Sequence, residues 1–272
     1  MSTPEPTDGA GSEGPDRAAV RDRLDRVTDP ELDRSIVELE YVDAIEVDGD
    51  RVTVRFTLPT AWCSPAFAWM MAIDARDEVE TLPNVADARI VLREHMHERE
   101  ITRGVNQRLS FAEAFPDADG DVAAVRVELD RKARIARQYD AIEALLEAGL
   151  GPGTIVDLTV ADLDRPADRA AVSAADDDAE RIPIAVQGEA VVVPVPAVPL
   201  DRYLEKARTT GVVSDSDDVL FRTPEGDPID AGSFDLVHRR GRLAKVNMSS
   251  QGGICDGLRE ARERRFEEAG DD

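Results

Sequence analysis

Cysteine is nearly absent: Cys63 and Cys255 are the only two in 272 residues. One chain therefore cannot build a disulfide framework, or a four-cysteine zinc or iron–sulfur site, from its own thiols. Lysine is also scarce, since only Lys132, Lys206 and Lys245 stand among the 33 basic residues. Aromatic residues make up 4% of the chain. No run approaches the roughly 20 apolar residues that span a bilayer, and the Met1 end has no basic-then-apolar leader, so the expectation is a soluble cytoplasmic protein. Basic charge is in deficit, 33 against 57 acidic residues, for a net −24. That field repels phosphate backbones and argues against nucleic-acid binding. Walker loops, Gly-x-Ser-x-Gly elbows and dinucleotide-binding glycine patterns are missing too, which leaves nucleotide hydrolysis and ordinary hydrolase chemistry unsupported.

What is present is acid, alanine, valine and arginine, a composition similar to that of halophilic proteins. At molar salt the Debye length falls to about 3 Å, so acidic crowding costs little. The charge then reports the solvent rather than the partner.

The length suits two modest domains. Residues 1–15 are polar and acidic without apolar period and read as a disordered tail. Ala19, Val20, Leu24 and Val27 recur at helical spacing, ahead of an Asp29-Pro30-Glu31-Leu32 turn. Strands are expected over Val42–Val47 and Arg51–Leu58, joined by Asp48-Gly49-Asp50. A helix follows from Ala66 to Val79 and a third strand from Val85 to Leu92. This is an α/β (α+β) pattern, a small two-layer helix-on-sheet domain over 16–103.

Residues Glu94–Phe115 are mixed in character and hard to place. A long amphipathic helix over 122–150, within a linker of 104–150, precedes a mainly helical second domain over 151–268 with a β-hairpin of Ile182–Val186 and Ala190–Val195. Thr154–Leu163 reads as one short helix, and Asp164–Glu180 as an exposed loop. Further helices are expected over Leu200–Thr209, Phe234–Val246 and Cys255–Glu268, with His238 on a surface.

Cys63 is the most informative residue. It follows a strand and precedes a helix whose first residue is Pro65. The N–H groups and macrodipole of such a helix end favour the thiolate, the form that binds soft metals. The alternative is a buried structural cysteine. One thiolate cannot hold a cluster, so further ligands would come from a second subunit of a homodimer, a client protein or a small thiol. Shared ligation suits transient carriage.

The Asp29-Pro30-Glu31-Leu32 turn after a short helix, the Val42–Leu58 hairpin, Thr57 through Cys63 leading into a helix, and Leu82-Pro83-Asn84-Val85 before the last strand resemble PaaD/SufT-like iron–sulfur cluster assembly factors over residues 16–94. The resemblance implies a role in assembling metal–sulfur centres, with Asp29, Pro30, Glu31 and Cys63 as the marked positions. Thr57, Trp62 and Ser64 would complete the pocket. Two departures stand out: Trp62 replaces the small residue usual before the cysteine, and Ser64 separates the cysteine from Pro65. Implied partners are a client metalloprotein and other cluster assembly proteins; the implied cargo is iron or an iron–sulfur cluster, held transiently.

Glu94-His95-Met96-His97-Glu98 is a second cluster of potential ligands. In an extended segment His95 and His97 would face one side, and with either glutamate, Glu94 or Glu98, they could hold iron. If Cys63 and His95 follow neighbouring strand ends, the two segments meet. Cys255, after Gly252-Gly253-Ile254, is another candidate ligand. The second domain faintly resembles the catalytic half of tyrosine recombinases, through Leu145–Asp164, the hairpin, Leu220-Phe221-Arg222-Thr223 and Leu258-Arg259, but no tyrosine follows Tyr203 to serve as nucleophile. The leading expectation is a non-catalytic maturation factor that delivers metal from Cys63. The competing ones are an adaptor or chaperone for an oxygenase or other metalloenzyme, and a mononuclear iron protein using His95 and His97.

Overall fold

Val52, Val54 and Phe56 alternate with Arg51, Thr53 and Arg55, a period of two that puts one face of a strand under cover and leaves the other to water. The computed structural model describes residues 14–118, 121–163, 180–186, 191–249, 253 and 257. Its contacts divide the chain into two units, with the boundary after Val122. Of the stretch 104–150, the part up to Val122 lies in the first unit and the rest in the second.

The first unit opens with α1 (Arg17–Leu24), whose N-cap Asp16 accepts from the Ala18 amide. Two residue pairs, β1 (Thr28–Asp29) and β2 (Arg34–Ser35), close the turn that follows. The sheet comprises β3 (Val42–Asp48), β4 (Arg51–Thr57) and β5 (Asp87–Arg93), in that order. Strand β4 is antiparallel to β3 across a turn with Gly49 at φ +62°, and parallel to β5. The parallel pair is joined by α2 (Pro65–Glu80), giving a β–α–β unit. Val20 and Leu24 of α1, and Trp69, Ala72, Ala75 and Val79 of α2, share one core with Val52, Val54, Phe56, Ile90 and Leu92. Sheet and helices form the two layers expected from sequence.

The residues left unplaced by periodicity form α3 (Glu98–Asn106) and α4 (Phe111–Ala114). Helix α3 lies against α2 at Gly104, where a Cβ would come within 2.7 Å of the Trp69 ring and 2.9 Å of Ala114. Phe111 and Phe115 stack on each other and meet Trp69 edge-on.

Among the described residues, the outer edge of β5 faces no further strand. Its amides are received instead by side chains: Ala88 by Glu80, Ile90 by Asn106, Leu92 by Thr102 and Glu94 by Glu98. Asn106 also donates to the Ile90 carbonyl at 2.7 Å. A polar stripe on α3, at steps of four residues, thus replaces a fourth strand and removes the exposed edge that invites wrong pairing.

The second unit contains α5 (Val122–Glu147) from Ala123 onward, α6 (Pro152–Asp157), a 3-10 turn at Val160–Leu163, the hairpin β6 (Arg181–Val186) and β7 (Val191–Pro196), α7 (Ala197–Thr209), and a helix over 234–249. Pro183 and Pro194 face each other in register, which a two-stranded sheet tolerates because both strands are edges. The single helix expected over Thr154–Leu163 is interrupted, because Leu158 and Val160 exchange backbone hydrogen bonds with residues 218–220. Tyr203 is fully buried, donates to the Leu220 carbonyl at 2.6 Å and stacks on Phe221. Burial pushes its pKa up, as befits a core tyrosine rather than a nucleophile. Buried Arg134 donates to the Thr223 and Pro224 carbonyls. His238 is not the surface histidine expected; it is half-buried between the rings of Tyr139 and Phe234, 2.8 Å from Glu143. Residues 1–13 of the expected tail over 1–15, residues 164–179 of the expected loop over 164–180, residues 187–190, Leu258-Arg259, Cys255 and all but residue 257 of the helix expected over 255–268 lie outside the described residues.

Candidate functional site

Strands β4 and β5 run parallel, so their carboxyl ends, Thr57 and Arg93, lie side by side. The chain leaving β4 reaches Cys63 just before α2; the chain leaving β5 reaches His95. The two segments are tied together. Met96 donates its amide to the Ala61 carbonyl at 3.0 Å, and His95 Nε2 lies 2.9 Å from the Cys63 carbonyl oxygen. His95 Nδ1 accepts the His97 amide at 3.2 Å. Because that nitrogen accepts, the ring proton sits on Nε2, which donates to Cys63. His95 is buried, and desolvation pulls its pKa below the ordinary histidine value, partly opposed by the bond to Cys63.

The meeting of the Cys63 and His95 segments matches the expectation from their strand ends, but the imidazole holds the cysteine's backbone rather than its sulfur. Both ring nitrogens are engaged, so metal coordination by His95 would first break one of these bonds. The extended geometry that would align His95 with His97 does not form, because Glu94 turns the chain at φ +54°. His97 becomes the N-cap of α3 and lies edge-on to Phe115. Among the described residues, no group of three or more His, Cys, Asp or Glu is placed to hold one metal ion.

Cys63 is half-buried and packs partly against the core, while Trp62 beside it is 76% exposed. Met96, across the Ala61 bond, is 54% exposed. Ser64 is the N-cap of α2 but makes no side-chain cap bond, and Pro65 stands at the first turn. The Ser64 side chain therefore does not cap the first-turn amides next to Cys63, and helix starts attract negative charge.

The Asp29-Pro30-Glu31-Leu32 turn has a structural logic of its own. Asp29 Oδ1 accepts the amides of Glu31 and Leu32 at 2.9 and 3.2 Å, and Oδ2 accepts the Tyr41 hydroxyl at 3.3 Å. Asp29 is buried, and desolvation raises its pKa against the pull of those three bonds. Pro30 and Glu31 are half-buried. The Tyr41 carbonyl in turn accepts the amide of Thr57, from which the loop toward Cys63 departs. Tyr41 was not singled out from sequence, though an aromatic immediately before a strand and after a buried turn is the available signal. Thr57 directs its hydroxyl to Asp43 at 2.8 Å.

The arrangement defines a helix-on-sheet domain with one half-buried cysteine at a helix start, on a loop braced from the neighbouring strand end. Residues 17–91 match the family described as iron-sulfur cluster assembly protein. The match is consistent with a PaaD/SufT-like cluster assembly domain in the first unit and supports a general role in iron–sulfur cluster assembly. No curated protein and no solved structure matches the chain.

Proposed function

We propose that the first unit takes up iron or an iron–sulfur cluster on Cys63 as cargo and delivers it to a client metalloprotein. The observation that carries this reading is the family match over 17–91, which includes a half-buried Cys63 at the start of α2. The remaining ligands come from the client, a second subunit or a small thiol, since a single thiolate leaves a cluster open. Open ligation makes release feasible once a partner supplies competing thiolates. Asp29 and Tyr41 act by holding the turn and strand end from which the Cys63 loop departs, and the second unit selects the client. The role is non-catalytic and cytoplasmic. In line with it, no described helix is long and apolar enough to cross a membrane.

A second reading rests on the lack of a three-ligand group among the described residues: an adaptor that binds a metalloenzyme without touching its metal. Two measurements separate them. The carrier should bind near-stoichiometric iron after anaerobic reconstitution with iron, sulfide and a thiol, and Cys63→Ser should lose that iron and abolish client maturation while keeping the wild-type circular dichroism. A Cys63→Ser protein that matures its client normally rules out the carrier. The mononuclear iron reading would require iron binding that survives Cys63→Ser and is lost in His95→Gln/His97→Gln.

A further inference from the structure

The open face of the first unit's sheet runs against the chain's overall charge. Arg55 on β4, Arg89 and Arg93 on β5, and Arg99 and Arg103 on α3 line an open groove of about 830 Å³. Arg55 is held by Glu46. The other four are exposed, and none has an ion-pair or hydrogen-bond partner among the described residues, in a chain with 57 carboxylates to offer. Two carboxylates, Glu94 and Glu98, line the same groove, fewer than its five arginines, and Glu98 accepts the Glu94 amide. Unpaired guanidinium groups gathered on one face of a protein of charge −24 form a local positive field in a negative surround.

We propose that this groove binds an acidic segment of the protein that receives the cargo, a partner assignment that rests on the carrier reading above. Three observations select that occupant. Arg89 and Arg93 are separated by about 13 Å along a strand, and Arg99 and Arg103 by about 6 Å along a helix, so one small anion cannot reach all four, whereas successive carboxylates along a peptide can. A long nucleic acid meets the repulsion of the whole chain; a short acidic segment meets chiefly the groove, because the Debye length is about 8 Å at physiological salt. The edge of β5 is already closed by α3, so the occupant binds through side chains rather than as an added strand. The groove also leads to the thiol: Arg93 is two residues before His95, which is bonded to the Cys63 carbonyl. Exposed Trp62 and Met96 stand at that end, residue types suited to anchoring a partner.

The test uses the full chain and a fluorescein-labelled peptide of ten glutamates, read by anisotropy. Wild type should bind it, and Arg89→Ala/Arg93→Ala/Arg99→Ala/Arg103→Ala should bind about tenfold more weakly or worse, as expected from losing several exposed ion pairs. An Arg21→Ala/Arg26→Ala control on exposed positions of the first helical region should bind like wild type, and an unchanged melting curve confirms that each variant folds. Cys63→Ser should retain peptide binding, so this result fails independently of the iron-loading result. The proposal is overturned if wild type does not bind, if the quadruple variant binds equally, or if duplex DNA or inorganic polyphosphate binds more tightly than the peptide. It is also overturned if Glu267→Gln/Glu268→Gln/Asp271→Asn/Asp272→Asn tightens peptide binding by a similar factor, since the chain's own acidic end would then be the occupant.

Discussion

The imidazole of His95 is hydrogen-bonded to the backbone carbonyl of Cys63 at 2.9 Å, across a sequence separation of 32 residues. The bond fixes the loop that carries the thiol to the end of the neighbouring parallel strand, and the His97 amide fixes the tautomer that makes it. Replacing His95 with alanine removes the buried donor and leaves the Cys63 carbonyl without it, a loss on the order of 1–3 kcal/mol. Urea unfolding should show that loss. Amide exchange at residues 61–64 should accelerate beyond what global destabilisation explains, and alkylation of Cys63 should speed up in parallel.

The same histidine makes the first unit acid-sensitive. Its folded-state pKa lies below the ordinary 6.5, chiefly because burial disfavours the imidazolium. The unfolded chain therefore binds the proton more readily. Stability attributable to neutral His95 is fully present above about pH 6.5 and is lost as pH falls toward and through the lowered folded value. Urea midpoints measured from pH 7.5 down to pH 5 should fall in the wild type and fall less steeply in His95→Gln. Equal slopes would show that His95 does not contribute.

Asp29 titrates in the opposite sense. Burial raises its folded-state pKa, so the folded chain holds the proton more tightly, and its contribution to stability declines as pH rises from the ordinary carboxylate range through that raised value. At neutral pH the charge is a liability while the acceptor oxygen is an asset. Asp29→Asn keeps an acceptor for the Glu31 and Leu32 amides and removes the charge; Asp29→Ala leaves both amides without their partner. At pH 7 the asparagine variant should lie within about 1 kcal/mol of wild type, and the alanine variant should lose about 1–3 kcal/mol more than that. Equal losses would mean that the charge, not the turn geometry, is what Asp29 provides.

These two residues show what the sequence could convey. The alternation in β4, the proline at the start of α2 and the Asp-Pro-Glu turn are local signals, and each predicts its own element. The meeting of Cys63 and His95 was also legible, because a β–α–β unit places two strand carboxyl ends together. What was not legible is the purpose of the polar residues. Glu98, Thr102 and Asn106 fall in the stretch that the sequence leaves unplaced, since the buried stripe of α3 is only Ile101, Gly104 and Val105. Hydropathy registers burial, and these three side chains work at an edge, where the need is hydrogen bonding. His95 and His97 read as paired ligands only under the assumption of an extended chain, which the positive φ of Glu94 breaks.

Gly104 tests the seam between α3 and α2. A methyl group there would lie 2.7 Å from the Trp69 ring and 2.9 Å from the Ala114 Cβ, closer than van der Waals contact permits. Although alanine favours helix by about 1 kcal/mol over glycine, the overlap costs roughly 1–3 kcal/mol and should win. Gly104→Ala should lower the melting temperature and shift Trp69 fluorescence as the ring moves away from Phe111 and Phe115.

Asn106 tests the closed edge. It receives the Ile90 amide at 2.9 Å and donates to the Ile90 and Thr102 carbonyls at 2.7 and 2.6 Å. Asn106→Ala therefore strips both backbone groups of Ile90 at once, at a cost on the order of 1–3 kcal/mol. The more telling result is association. With its middle amide and carbonyl released, β5 offers a short length of unpaired strand, the kind of edge that templates pairing with another copy. Light scattering should show Asn106→Ala self-associating with rising concentration. The substitution Thr102→Val/Asn106→Ala, which also releases the Leu92 amide, should do so at lower concentration. If both variants are destabilised yet remain in the wild-type oligomeric state, α3 shields the edge by its bulk alone, and the ladder of side-chain bonds contributes stability without guarding against misassembly.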